Sequence, residues 1–379
     1  MKKTILCFSM LFLSHLSFSQ KYEFQTIKDI ECTPIISQGA TGTCWSFSTT
    51  SFLESEIYRT SGKKIDLSEM YNVRYTYLKK AENYVLRQGK AQFGEGGLSH
   101  DVINSAKSYG IATEEQYAGK LPNQEKHDHA KMVEELETIV KKAVAETPAK
   151  YPNWKQDYTN VLDKYMGSFS PEINLSANVN FDQKNTTSTS QTPIEFLKST
   201  KLNLDDYVTI TSFTHEPFYS KFILNIPDNF ANGMFYNLPL DEYIQNIDNA
   251  LDKGFTLALD ADVSEKTFSG KNGIAVIPND DNDASVILTE IKPEKTITPE
   301  YRQSEFENYN TTDDHLMHIV GKAKDQKGNI YYKVKNSWGI KSGRDGFIYM
   351  SIPYMRLKSI SVMLHKDGLL KKTKTNLGI

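Results

Sequence analysis

Cysteine is almost missing from this chain, with 3 among 379 residues, at positions 7, 32 and 44. That scarcity excludes a disulfide framework as the source of stability. An excess of one charge is missing too. Lys and Arg number 44 against 47 Asp and Glu, a formal net charge of -3, and no basic block stands out, which excludes nucleic acid as a partner. Beyond position 20 no apolar run approaches the roughly 20 residues of a membrane-spanning helix. Metal motifs are also absent. His127-Asp128-His129 reads as part of a charged, solvated helix face, and Asp280-Asp281-Asn282-Asp283 lacks the glycine and distal glutamate of a calcium loop. No metal and no cofactor are expected, and no internal repeat is present.

The first residues have the composition of a leader. Lys2 and Lys3 precede an apolar run from Ile5 to Phe18, and the small residues Ser17 and Ser19 stand where a signal peptidase reads. Residues 1–19 are therefore expected to be a cleaved signal, with a mature chain beginning near Gln20. Cys7 lies too early in the apolar run to carry a lipid, so no stable membrane anchor is expected and the destination is periplasmic or secreted. Processing removes Lys2, Lys3 and Cys7, which takes the net charge to -5 and leaves Cys32 and Cys44.

Cys44 ends the stretch Gln38-Gly39-Ala40-Thr41-Gly42-Thr43-Cys44 and is followed by Trp45-Ser46-Phe47. Gly39 and Gly42 supply a bend, and Phe52, Leu53 and Ile57 continue an apolar-flanked run, so a helix is expected to open at Cys44. A thiol there meets the unpaired N–H groups and positive dipole end of the helix, which favour thiolate, the form that acts as nucleophile. Far downstream lie His315 and Asn336-Ser337-Trp338-Gly339. Each of these alone has an ordinary structural reading: a buried small hydrophobe, a turn residue, a core aromatic. In this order they form a nucleophile, a base and the group that orients the base.

These residues resemble the papain family of cysteine peptidases, whose fingerprint around the nucleophile is close to Q-G-x-x-G-x-C-W-x-F. The resemblance implies a papain-like two-lobed α+β fold, with a helical left lobe and a β-barrel-like right lobe. By it, Cys44 is the nucleophile, His315 the base, Asn336 its orienting partner, and Gln38, with the Cys44 N–H, the oxyanion hole. Val320-Gly321 follow His315 at the family's spacing, which selects His315 over His318; His318 is expected to face the other way. Trp338 would shield the His315–Asn336 bond from water, and Gly343, Gly346 and Phe347 continue the pattern. Gly96 and Gly97 would form the cleft wall against which substrate backbone pairs, glycine allowing close approach. Leu98 would border the pocket for the substrate's second residue. A Cys32–Cys44 bridge would abolish the nucleophile.

Spacing selects a branch. Cys44 and His315 stand 271 residues apart, whereas about 130 to 150 is usual in a minimal member. An insertion is therefore expected, roughly over residues 120–300, and the short run before Cys44 has no room for an inhibitory propeptide. Thr41 also stands where most secreted relatives carry a cysteine. These departures resemble the bleomycin hydrolase and bacterial aminopeptidase C branch, as do Thr192-Pro193-Ile194-Glu195-Phe196 and the order of Phe235–Leu240 and Leu251–Phe255. The peptidase domain is expected to run from 20 to 379. Within it, a helical stripe of Met132, Leu136, Ile139, Ala143 and Val144 packs on the core, and residues 168–192, rich in Ser, Thr and Asn, form a long loop. Strands are expected at Tyr207–Ile210, Thr256–Leu259 and Ser359–His365.

The resemblance implies peptide substrates and aminopeptidase activity, because in that branch a C-terminal arm lies in the cleft and its carboxylate meets the substrate's free amine. Residues 367–379 form a tail whose extended reach of about 43 Å permits this. Two alternatives stand beside it: an endopeptidase of the same fold, and a non-catalytic exported peptide-binding protein. Members often form cytosolic hexamers and one type binds DNA; the leader and acidic balance argue against both carry-overs, and a homo-oligomer stays open.

Overall fold

The computed structural model describes residues 21–169 and 191–379. The leader 1–19 and most of the stretch 168–192 lie outside the described residues. Helices α1 (Cys44–Ser61), α2 (Glu69–Leu86) and α3 (Ser99–Tyr109) pack together, and α4 (Ala130–Glu146) lies against α2 and α5 (Trp154–Met166). Local chemistry sets their ends. The Ser68 hydroxyl accepts the Tyr71 N–H at 3.0 Å and starts α2. Gly62, at φ 70°, closes α1 in the left-handed conformation that glycine adopts without strain. In α4 the expected stripe is buried through Met132, Leu136, Val140 and Ala143, while Ile139 and Val144 border it.

The strands are β1 (Gln25–Asp29), β2 (Tyr207–Thr211), β3 (Lys221–Ile223), β4 (Met234–Asn237), β5 (Leu257–Ala261), β6 (Phe268–Ser269), β7 (Ile274–Ala275), β8 (His315–Lys324), β9 (Ile330–Lys335), β10 (Phe347–Ser351) and β11 (Ser359–His365). They join in one sheet, ordered β3-β4-β2-β11-β5-β8-β9-β10-β7-β6, with β1 pairing β8 outside that path. The fold is the expected α+β papain-like arrangement. Its right half is an open sheet and not a closed barrel, since β3 and β6 stay unpaired ends among the described residues. Remaining helices are α6 (Pro193–Ser199), α7 (Leu240–Asp252), α8 (Pro299–Glu307), α9 (Ile352–Lys358) and α10 (Lys371–Leu377).

Side-chain alternation along the central strands divides the core. Ala258 and Leu316 join the core of the helical lobe with Trp45, Phe52 and Leu53. Leu257, Leu259, Met317 and Ile319 point the other way, to Tyr243 and Ile247 of α7. Covered by α1 on one face and α7 on the other, β8 is buried without a break from His315 to Gly321. A buried cation braces the approach to that strand: Lys358, fully buried, meets Asp262 at 3.3 Å and donates to the Asn310 carbonyl at 2.5 Å. Asp262 in turn accepts the Thr312 N–H at 3.1 Å.

The C-terminal tail corrects one expectation. It is not an extended arm in the cleft beside Cys44 but a short turn followed by α10, seated on α7. Leu369 is buried in the α7-side core, the Thr373 hydroxyl donates to Glu242 at 2.7 Å, and Asn246 donates to Thr373 at 2.9 Å. The physical reason is that Leu369 and Thr373 find an apolar surface and two buried polar partners on α7, on the sheet face opposite α1. Removing Lys371–Ile379 takes the Thr373 partner from Glu242 and Asn246, a loss of about 1.5–3 kcal/mol for a bond to a charged group. Thermal unfolding should show a melting temperature lower by several degrees, while mapped peptide cleavage sites stay unchanged. A shift towards internal cleavage would restore the arm-in-cleft picture.

Candidate active site

Helix α1 opens at Cys44, as the sequence indicates. Thr43 offers no side-chain cap and the first turn holds no acidic residue. The N–H groups of Ser46 and Phe47 turn back to the Thr43 carbonyl, at 2.9 and 3.2 Å, while those of Cys44 and Trp45 have no partner among the described residues. This end is a set of unpaired donors around one sulphur. Gly39 bends the preceding segment at φ 69°, where a Cβ would strike the His127 backbone.

The strand bearing His315 is fixed against this helix by two side chains of α1. The Ser48 hydroxyl donates to the Met317 carbonyl at 2.6 Å, and Ser51 Oγ lies 3.0 Å from His318 Nδ1. Cys44, one turn before Ser48, therefore lies against the first residues of β8, near the Leu316 N–H. His318 faces α1, as expected, and is engaged away from His315. His315 Nε2 donates to Asn336 Oδ1 at 2.8 Å. The same oxygen accepts the Ser337 N–H at 2.7 Å, which fixes the orientation of the amide. With Nε2 committed, Nδ1 is the ring nitrogen left for the thiol. Trp338 lies over the pair, its ring centroid 4.9 Å from that of His315, and is 39 % exposed to solvent.

Gln38 is buried at the junction of the two halves. Its N–H donates to the Ser337 carbonyl at 2.9 Å, its Oε1 accepts the Ser337 hydroxyl at 2.6 Å, and its Nε2 donates to the Thr41 carbonyl at 2.7 Å. One amide N–H stays uncommitted. The Gly96-Gly97 loop is tied to the same helix start, because Trp45 Nε1 donates to the Glu95 carbonyl at 2.9 Å and the Glu95 carboxylate accepts the Gly42 N–H. The Gly97 N–H and carbonyl have no partner among the described residues, and a Cβ there would press on the Trp45 indole. Leu98 corrects an expectation. Its side chain is 2 % exposed and belongs to the helical-lobe core, because the N–H it gives to Asp101 at 2.8 Å seats it at the start of α3. It does not present a side chain to the cleft.

Burial opposes both charged forms of the pair. It pushes the Cys44 thiol up to about 12, against the Leu316 N–H, and the carboxylates of Asp228, Asp313 and Asp260 raise it further. Burial also holds His315 down to about 4, with the Asn336 bond acting in the opposite sense. Burial thus disfavours thiolate and imidazolium alike when either forms alone.

His127 and His129 correct a further reading. Both are buried ahead of α4, beside Phe47 and Tyr77, and burial holds each down to about 4. Among the described residues no group of three or more His, Cys, Asp or Glu side chains is arranged to hold a metal ion. Cys32 and Cys44 are both free. No helix among the described residues is long and apolar enough to cross a membrane. Sequence reading does not single out Glu95, Ser337, Asp228, Asp260 or Asp313. A signal existed for two of them: Asp260 interrupts an apolar buried strand, and Asp313 stands two residues before His315.

A family model described as the peptidase C1-like family matches residues 112–378, and a second, papain family cysteine protease, matches residues 19–193. The chain belongs to the peptidase C1-like family. It is a cysteine-type peptidase. Among curated proteins it is 24 % identical over 378 residues to aminopeptidase G of Lactobacillus delbrueckii subsp. lactis, covering 89 % of this chain and 82 % of that protein. It is 22 % identical to mitochondrial cysteine proteinase 1 of Saccharomyces cerevisiae, covering 92 % and 78 %. The solved structure of PepW from Lactobacillus rhamnosis HN001 superposes with a TM-score of 0.75 at 18 % identity, over 93 % of this chain and 84 % of that one. The bleomycin hydrolase-like branch suggested by the spacing agrees with these relatives.

The family site yields a pH test. Because burial lowers His315 to about 4, below the usual value of about 6.5, the ring stays able to accept the Cys44 proton until pH falls through about 4. Alkylation of Cys44 by uncharged iodoacetamide should hold its neutral-pH rate down to that region and then decline. Asn336→Ala, which removes a bond that raises the value, should move the decline to still lower pH. A decline centred near 6.5 in the native protein would contradict this environment for His315.

Proposed function

We propose that this protein is an exported cysteine aminopeptidase working through Cys44, His315 and Asn336. The observation that carries the reading is the His315–Asn336 bond at 2.8 Å, which leaves Nδ1 free beside a helix start that holds Cys44. In the proposed cycle the Cys44 proton passes to His315 Nδ1 as the sulphur attacks the peptide carbonyl. The oxyanion rests on the Cys44 N–H and the uncommitted Gln38 amide N–H. His315 returns the proton to the leaving amine, giving an acyl-enzyme, and then takes one from the water that releases it. Gly97, with both backbone groups unpaired, pairs with the substrate backbone, and Trp338 keeps water from the His315–Asn336 bond.

The relatives named aminopeptidase G and aminopeptidase W support the exopeptidase reading. A second reading, endopeptidase, is favoured by the placement of the tail on α7, away from the cleft it was expected to block. Export rests on the leader-like composition of residues 1–19. The test uses enzyme recovered from the exported fraction, its first residue read by sequencing and expected near Gln20. Aminoacyl and N-acetyl-aminoacyl coumarin amides are then compared. Native enzyme should strongly prefer the free amine, Cys44→Ala should be inactive, and Gln38→Ala should lose about 10²–10³-fold in kcat. Equal cleavage of free and blocked substrates would favour the endopeptidase reading, and full activity in Cys44→Ala would remove the mechanism.

A further inference from the structure

Three carboxylates crowd the nucleophile from the side of the Gly96-Gly97 loop, and the proposed cycle uses none of them. Asp260, on β5, pairs across the sheet with Leu316, whose N–H lies near the Cys44 sulphur. The Asp260 side chain is 2 % exposed, and neither of its oxygens receives a hydrogen bond from any donor among the described residues. Asp313, just ahead of β8, stands against it with Oδ1 likewise unpartnered, while its other oxygen accepts the Asp228 N–H at 3.4 Å. Asp228 closes the group from above Gly96, where a Cβ would run into its carboxylate. All three lie close enough to Cys44 for their charges to act on its sulphur.

A buried carboxylate without a donor is costly, about 1–3 kcal/mol or more, and such groups are normally paired. The cation nearest this group is Lys80, which donates to the Gly96 carbonyl and lies 5.3 Å from the centre of the Phe230 ring. Its charge acts on Asp228. Asp260 and Asp313 feel chiefly each other, Asp228 and Asp314. The arrangement suits a primary ammonium: one compact cation with three donors, beside three buried carboxylate oxygens, two of Asp260 and one of Asp313, that receive no other donor.

Resting on the aminopeptidase reading, we infer that Asp228, Asp260 and Asp313 bind the α-ammonium of the substrate's first residue. That nitrogen is separated from the carbonyl under attack only by the α-carbon, so a binder of the amino end must lie beside the sulphur, as these three do. The C-terminal segment, seated on α7 through Leu369 and Thr373, is not needed for the task. A cation docked there also cancels the field that opposes the Cys44 thiolate, so binding of a free amino end and activation of the sulphur support one another. A lysine side chain one residue upstream of the scissile bond carries the same ammonium, and the test separates the two sources.

Steady-state kinetics would be compared for alanyl, acetyl-alanyl and acetyl-lysyl-alanyl coumarin amides on native enzyme and on Asp228→Asn, Asp260→Asn and Asp228→Glu. The two asparagine variants should raise KM for the alanyl substrate by about 10- to 100-fold, the worth of a charge-assisted bond, and so narrow the preference for the alanyl over the acetyl-alanyl substrate by a similar factor. Asp228→Glu should recover most of the loss. Iodoacetamide labelling of Cys44 in each variant shows that the site is folded. If the variants label normally and keep the native preference for the free amine, the proposal falls while the exopeptidase reading stands. If only the acetyl-lysyl substrate suffers, the carboxylates read a side chain and the proposal also falls. Equal cleavage of free and blocked substrates by native enzyme would remove the exopeptidase reading first.

Discussion

The contact of α1 with the start of β8 is the constraint from which the site follows. A helix start without a side-chain cap leaves N–H groups aimed outward, and the strand laid against it begins with a histidine whose far nitrogen is already bonded. The Ser48 and Ser51 hydroxyls fix that register from within α1. Slipping β8 by one residue would turn its side chains to the opposite faces, taking His318 away from Ser51 and His315 away from Asn336. The open sheet, the α7 layer and the buried Lys358 cluster all serve to hold this one strand in place.

Burial gives the site its chemistry and its difficulty. A dry environment makes the uncommitted N–H groups of Cys44 and Gln38 effective partners for an oxyanion, yet it penalises thiolate and imidazolium taken singly. The penalty is relieved when both charges form at once from a single proton transfer. The nearby carboxylates sharpen this condition, because they raise the cost of negative sulphur until something positive sits among them. In the proposed reading, selection for a free amino end and readiness of the nucleophile are aspects of one electrostatic balance.

Much of the architecture is legible in the residues. Gly39, Gly42 and the apolar run after Cys44 mark the start of α1, Leu67-Ser68 marks that of α2, Gly110 ends α3, and β11 spans Ser359–His365 as read. Gln38, His315, Asn336 and Trp338 are linked by direct contacts with one another or through Ser337, and the two family models together span residues 19–378. What escaped the sequence depends on distant packing. Leu98 looks like a pocket residue until α3 is seen to draw it inward. The tail has the length to reach the cleft, and only the surface of α7 decides that it goes elsewhere. His127 and His129 look solvated because their burial comes from Phe47 and Tyr77, far away in the sequence. Asp260 and Asp313 belong to segments more than fifty residues apart, so their pairing has no local signature.

The most direct test of the central claim measures proximity. Dibromoacetone, a short reagent with two reactive carbons, would be added to the folded protein and the products mapped by peptide mass spectrometry. The account expects one carbon on the Cys44 sulphur and the other on the His315 ring, joining peptides from opposite ends of the chain. Cys44 alkylated at one end only, with His315 recovered unmodified, would contradict it.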